Sequence, residues 1–191
     1  MKFIIILCIA ALTSINQQGY LMAQSPSSTI TSTNPDILVE QAVKKYSRKD
    51  FTGAMGDLNQ AVKANSKYAK AYNARGIVKS ALKDWEGSIK DYNTAIDLDP
   101  KYARAYSNRG LLKLVQGDFD NASNDFNLAI DLDPSLANAY NNRGLMFIKL
   151  GKREAAIKDL QKCAQLYEAQ GDKESARQSL EAIKKLNRVK V

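Results

Sequence analysis

The side chains best suited to chemistry in this 191-residue sequence are amides and guanidiniums, and they recur in step. Asn108 and Asn142 stand 34 residues apart. With them come Lys70 and Asn73, then Arg104 and Ser107, then Asn138 and Asn141, each set at the same place around a tyrosine. An asparagine side chain carries both a donor and an acceptor, so a row of them can hold a peptide backbone with little regard for its sequence. The alternative is that these asparagines are solvated helix residues that bond only water. Asparagine is a mediocre helix former, and its recurrence within helices favours the binding role. Lys70 and Arg104 add positive charge on the same side, which favours a partner segment with acidic residues.

A second constellation repeats as strictly. Arg75 and Asp91, Arg109 and Asp125, and Arg143 and Asp159 are each 16 apart. In a helical hairpin that spacing brings the two side chains together between the helices. The pair can be an internal ion pair that fixes hairpin register, or the arginines can face a ligand's carboxylates. The aspartates repeat in step with the arginines, which favours the internal pair.

Catalytic chemistry finds little footing. The sequence has no histidine, which removes the commonest general base and metal ligand. It has no Gly-rich phosphate loop and no cysteine set with metal spacing. Cys163 lies on an apolar helix face near Leu160 and Leu166 and reads as a small core residue. Asp97, Asp99, Asp131 and Asp133 flank turns, and turn chemistry explains them. No catalytic residue, metal site or cofactor is expected, and the chain is not expected to be an enzyme.

These side chains must be positioned by a repeated unit. Ala71-Tyr72-Asn73-Ala74-Arg75-Gly76 returns as Ala105 to Gly110 and again as Ala139 to Gly144, with a period of 34. Ala95-Ile96-Asp97-Leu98-Asp99-Pro100 returns 34 residues later as Ala129 to Pro134. A period of that size predicts stacked helical hairpins. In the unit 103–136, Gly117 ends the first helix, Asp118 caps the second, and Pro134 forbids continuation. Ala122, Phe126, Ala129 and Ile130 give the second helix one apolar face. Gly76, Gly110 and Gly144 sit inside first helices at a cost of roughly 0.8–1 kcal/mol each, which predicts close helix contact. Ser88, Ala122 and Ala156 are expected to meet them. Trp85 and Phe119 are expected to plug the hairpin corners.

These blocks resemble the tetratricopeptide repeat, in the variant common in bacterial members. The resemblance covers 35–170 as four units, 35–68, 69–102, 103–136 and 137–170, and is weakest in the first. It implies an all-α fold, an α-solenoid of about four helix-turn-helix units plus a C-terminal capping helix at about 172–187. The repeat domain is expected to span 36–188. Lys79 and Lys113 stand where the family usually has an aromatic, and they are expected to lay their stems on the core with the amine in solvent. The resemblance also implies a concave surface lined by the first helices that receives an extended peptide or a helix of another protein. The candidate groove residues are Lys70, Asn73, Arg104, Ser107, Asn108, Asn138, Asn141 and Asn142, with Ala74 a broken rung. The specialised family version that clamps a C-terminal carboxylate is not expected, because Asn73 and Ile77 occupy two of its places.

The ends of the chain bear on location. Lys2 and the ten-residue apolar run Phe3 to Leu12 read as a signal peptide over 1–23, cleaved after Ala23, or as an uncleaved N-terminal anchor. Ser, Thr and Pro dominate 24–35, a flexible linker. Export to the periplasm or cell envelope is expected, with a thylakoid lumen or the exterior as alternatives. Membrane contact is expected only if the N-terminal segment is retained. The net charge of +8 is spread along the chain without a run of five basic residues, so nucleic acid is not an expected partner. The expected function is a non-enzymatic protein-protein interaction module or scaffold of the envelope, with assembly of a membrane or envelope complex as its expected setting. The alternatives are a structural, self-associating role, or a basic surface that binds an anionic membrane or nucleic acid.

Overall fold

The computed structural model describes residues 33–188. The expected signal segment and most of the expected linker lie outside the described residues. Among the described residues every regular element is an α-helix. In chain order these are α1 Pro35–Ser47, α2 Phe51–Ala64, α3 Ala69–Ala81, α4 Trp85–Leu98, α5 Ala103–Gln116, α6 Phe119–Leu132, α7 Ala137–Lys149, α8 Arg153–Ala169 and α9 Lys173–Arg188. They form four hairpins and a closing helix, an α-solenoid.

Local chemistry sets the helix boundaries. Pro35 opens α1, and the Asn34 side chain accepts from the Asp36 N–H at 2.9 Å. Asp50, Asp84 and Asp118 start α2, α4 and α6 by accepting from the N–H three residues on, at Gly53, Gly87 and Asn121. Each carboxylate thereby satisfies a donor the helix leaves orphaned. Between units, Asn65, Asp99 and Asp133 each accept from the N–H two residues on, at Lys67, Lys101 and Ser135. That side-chain bond shapes the turn in which the following first helix begins.

Each first helix packs on the second helix of its own unit, and each second helix packs on the next first helix. First helices also touch successive first helices, α1 on α3, α3 on α5 and α5 on α7. Second helices make no comparable contact with one another among the described residues. The first helices therefore crowd together along one side of the array, and their free faces form its inner surface.

The core is built from small residues opposite large ones. A Cβ added at Gly76 would lie 2.6 Å from the Tyr92 ring, and one at Gly110 would lie 2.8 Å from the Phe126 ring. The close approach expected of these glycines is present, but the side chains laid against them are Tyr92, Phe126 and Leu160, one turn beyond Ser88, Ala122 and Ala156. Ser88 does meet its glycine, donating its hydroxyl to the Gly76 carbonyl at 2.8 Å. Ala122 packs with Leu114, Phe126 and Met146. Phe119 leans on that cluster as expected, whereas Trp85 remains 36% exposed at its corner.

One expectation is overturned. Lys79 and Lys113 do not extend their amines to solvent. The Lys79 ammonium lies 2.8 Å from Asp91, and that of Lys113 lies 2.9 Å from Asp125. Both aspartates are buried, and a buried carboxylate attracts every cation within reach because water no longer solvates it.

Candidate partner-binding groove

The inner face is read directly from helical spacing, since residues three and four apart share a face. On α3 it carries Lys70, Asn73 and Ile77. On α5 it carries Arg104, Ser107, Asn108, Leu111 and Val115. On α7 it carries Asn138, Asn141, Asn142 and Leu145.

The structure brings the predicted amides together, but largely with one another. Asn108 donates to the Asn73 carbonyl oxygen at 2.9 Å, and Asn73 donates to the Tyr102 hydroxyl at 3.4 Å. Asn142 donates to the Ser107 hydroxyl at 3.3 Å. Tyr167 donates its hydroxyl to the Asn138 carbonyl oxygen. Asn108 and Asn142 each reach back 35 residues to the preceding first helix. Successive first helices stand close enough for these side chains to lace them together. Asn73, Ser107, Asn141 and Asn142 are buried, and Asn108 and Asn138 are half-buried. Lys70 and Arg104 alone among the eight are exposed.

Asn141 departs from the lacing. It is 6% exposed, and its carbonyl oxygen has no hydrogen-bond partner. It lies on α7, the first helix of the last full hairpin. The lacing thus stops where the regular repeat stops.

Sequence reasoning missed the apolar part of this face. Val43, Ile77, Leu111 and Leu145 are 34 residues apart and all half-buried. Each lies four residues after the position of Asn73, Ser107 and Asn141, or its counterpart in α1. Val115 is 53% exposed one turn beyond Leu111. The signal was present in the same 34-residue period that exposed the asparagines. The inner face is therefore polar and basic toward the helix N-termini and apolar toward the C-termini.

The basic charges are confined to the middle. Lys70 rests its ammonium 6.0 Å from the centre of the Tyr68 ring. The first unit instead places Asp36 and Glu40, both exposed, at the positions equivalent to Lys70 and Ala74. Tyr68 hydrogen-bonds Asp36, and burial with that bond raises its hydroxyl pKa. Burial likewise raises that of Tyr102, so the hydroxyl that accepts from Asn73 stays neutral.

The arginines do not face the groove. Arg75, Arg109 and Arg143 each grip the aspartate 16 residues on with two hydrogen bonds, at 2.7–2.9 Å. The third edge of each guanidinium donates to an asparagine 16 residues earlier, at Asn59, Asn93 and Asn127. Each arginine thereby joins its own two helices to the second helix of the preceding unit. These bonds to aspartate raise the arginine pKa values further, so the charge is permanent. Cys163 is buried beside Ser179, and burial pushes its thiol up to about 11. Among the described residues no group of carboxylates and cysteines is placed to hold a metal ion.

Family comparison bears directly on this arrangement. The TPR repeat family matches residues 80–117 and 114–151, and the tetratricopeptide repeat family matches 137–166. Together these matches span residues 80–166. The hairpins outside that span have the same helical pattern, and solved tetratricopeptide structures superpose over more of the chain. The TPR2B domain of yeast Sti1, solved in complex with pHsp70, is 26% identical with a TM-score of 0.59, covering 63% of this chain and 97% of that one. MamA is 24% identical with a TM-score of 0.59, covering 73% and 81%. The first TPR of Spaghetti (RPAP3), bound to the HSP90 peptide SRMEEVD, is 21% identical with a TM-score of 0.57, covering 65% and 99%. No curated protein matches the chain in sequence. In the tetratricopeptide frame the laced amides, the apolar row and the two exposed cations all lie on first helices.

Proposed function

We propose that this chain is a non-enzymatic protein-interaction module that holds a segment of a partner protein in the groove formed by α1, α3, α5 and α7. The observation that carries this reading is the inner face itself. It combines exposed cations at Lys70 and Arg104 with a half-buried apolar row along four successive helices. The arginine and aspartate pairs, which could have served catalysis or a ligand, are spent on internal bonds. The Sti1 and RPAP3 domains, solved with pHsp70 and with a peptide, have the same architecture and support a groove that takes polypeptide.

The envelope is the proposed location, on the strength of the apolar run Phe3 to Leu12 and the small residue at Ala23. Assembly of a membrane or envelope complex is the proposed setting. The test is a pull-down from the source cell with wild-type chain and with Lys70→Glu plus Arg104→Glu, both surface changes that leave the core intact. Loss of specific partners in the variant is the expected result. An unchanged partner set would remove the groove from the function. Light scattering across a concentration series tests the self-associating alternative, and a monomer throughout would dismiss it.

A further inference from the structure

The groove as built favours one kind of ligand, and this inference rests on the groove reading proposed above. The geometry points to an amphipathic α-helix of a partner protein, with one apolar stripe and acidic residues along one flank, as the occupant of the inner face. Three observations lead there.

First, all but Asn141 of the amides that would hold an extended backbone already bond within the protein, and Asn141 is buried. Asn73 and Asn108 bond each other, Asn142 bonds Ser107, and Asn138 accepts from Tyr167. An extended segment brings unpaired N–H and C=O groups and needs partners for them, whereas a helix satisfies its own.

Second, the spacing of the apolar row matches a helix. Packed helices stand about 8–10 Å apart, so Val43, Ile77, Leu111 and Leu145 recur at about that interval along the groove. A helix rises about 1.5 Å per residue, and residues seven apart share a face about 10.5 Å apart. A strand presents the same face about every 6.6 Å and falls out of step. Spanning all four first helices takes a helix of about 20 residues.

Third, the exposed charge is arranged to orient that helix. Lys70 and Arg104 lie on the N-terminal side of the apolar row, on the second and third first helices. Neither is in a salt bridge among the described residues. Acidic residues on the flank of the ligand would meet them, and Asp36 and Glu40 on α1 would repel acidic residues at the first unit. The chain's own apolar run at Phe3 to Leu12 is a poorer fit, because residues 1–35 contain no acidic side chain.

The experiment uses the purified chain and four labelled probes of about 20 residues, read by fluorescence anisotropy and circular dichroism at low salt. The first carries leucines at helical spacing with glutamates on one flank. The second has the same composition with leucines in alternation. The third replaces the glutamates with lysines. The fourth is the chain's own residues 1–23. The first is expected to bind at least about tenfold more tightly than the other three and to gain helicity on binding. Ile77→Gln is expected to weaken it about tenfold, and Val115→Gln, at an exposed site where folding is not at stake, by a smaller factor. Arg104→Glu is expected to abolish the preference for glutamate over lysine. Equal binding of the alternating probe, binding without helix gain, indifference to both apolar variants, tighter binding of residues 1–23, or no binding of any probe would overturn the inference. The pull-down with Lys70→Glu plus Arg104→Glu then decides independently whether the groove reading survives.

Discussion

Arg109 holds the Asp125 carboxylate by two parallel hydrogen bonds, Nε to Oδ2 at 2.9 Å and Nη2 to Oδ1 at 2.7 Å. The remaining edge of the guanidinium donates to Asn93 in the preceding unit at 2.7 Å. A planar fork with five donors is suited to this triple role, and a lysine could not fill it. The carboxylate is buried, so its charge is tolerable only while a cation remains beside it.

The partners of the aspartates differ from unit to unit, and stability should follow. Asp125 has Lys113 as a second cation, while Asp159 has Phe147 at the equivalent position. Arg143→Met strands Asp159 and is expected to cost about 3–5 kcal/mol. Arg109→Met is expected to cost clearly less, because Lys113 remains. Urea denaturation of the two variants checks the order, and equal losses would show that the lysine contributes nothing.

The repeated glycines should respond unequally to alanine. A methyl at Gly110 would lie 2.8 Å from the Phe126 ring and 3.0 Å from the Asp125 Cβ. Gly110→Ala is expected to cost about 1–3 kcal/mol through overpacking. At Gly144 the nearest atom would be Leu160 Cγ at 3.3 Å, which a small shift relieves. Gly144→Ala is expected to be neutral, or to stabilise by up to about 1 kcal/mol through helix propensity. Thermal melts of the two variants are the measurement.

The hairpin turns offer a gain. Lys49 and Lys83 adopt φ of 64°, the left-handed conformation that Gly117 and Gly151 take at the equivalent turns. A side chain there costs roughly 1 kcal/mol that glycine avoids. Lys83→Gly is expected to raise the melting temperature, and a fall would show that Lys83 makes a compensating contact.

Alkaline pH should unfold the array. Folding raises the Cys163 thiol from about 9 to about 11, through burial. The neutral form is the one the fold holds, so this contribution is complete below about pH 9 and is lost as pH rises through about 11. It amounts to about 3 kcal/mol. Tyr68, Tyr102 and Tyr167 are raised for the same reason and act in the same direction. Melting temperature is expected to fall steeply above pH 9, and a thiol reagent should modify Cys163 only after unfolding. Rapid modification at Cys163 itself in the native chain at pH 8, located by peptide mapping, would contradict the buried assignment.

Much of this was legible in the sequence because the unit repeats. Glycine and proline punctuation, aspartate caps and an apolar face of period 3.6 act within a few residues, so they can be read locally. The 16-residue spacing of Arg109 and Asp125 was also legible, since a single hairpin determines it. The partner cation was not: Lys113 reads as a surface lysine until Asp125 is seen to be buried beside it.

The groove marks the division most clearly. Sequence alone determined that Asn73, Asn108, Asn138 and Asn142 share the inner side of the first helices, because helical period dictates facing. Only the tertiary structure decided what they bond, because that depends on how closely neighbouring first helices stack. They stack within hydrogen-bonding reach, so the amides bond neighbouring helices, and Lys70, Arg104 and the row from Val43 to Leu145 remain for the proposed partner.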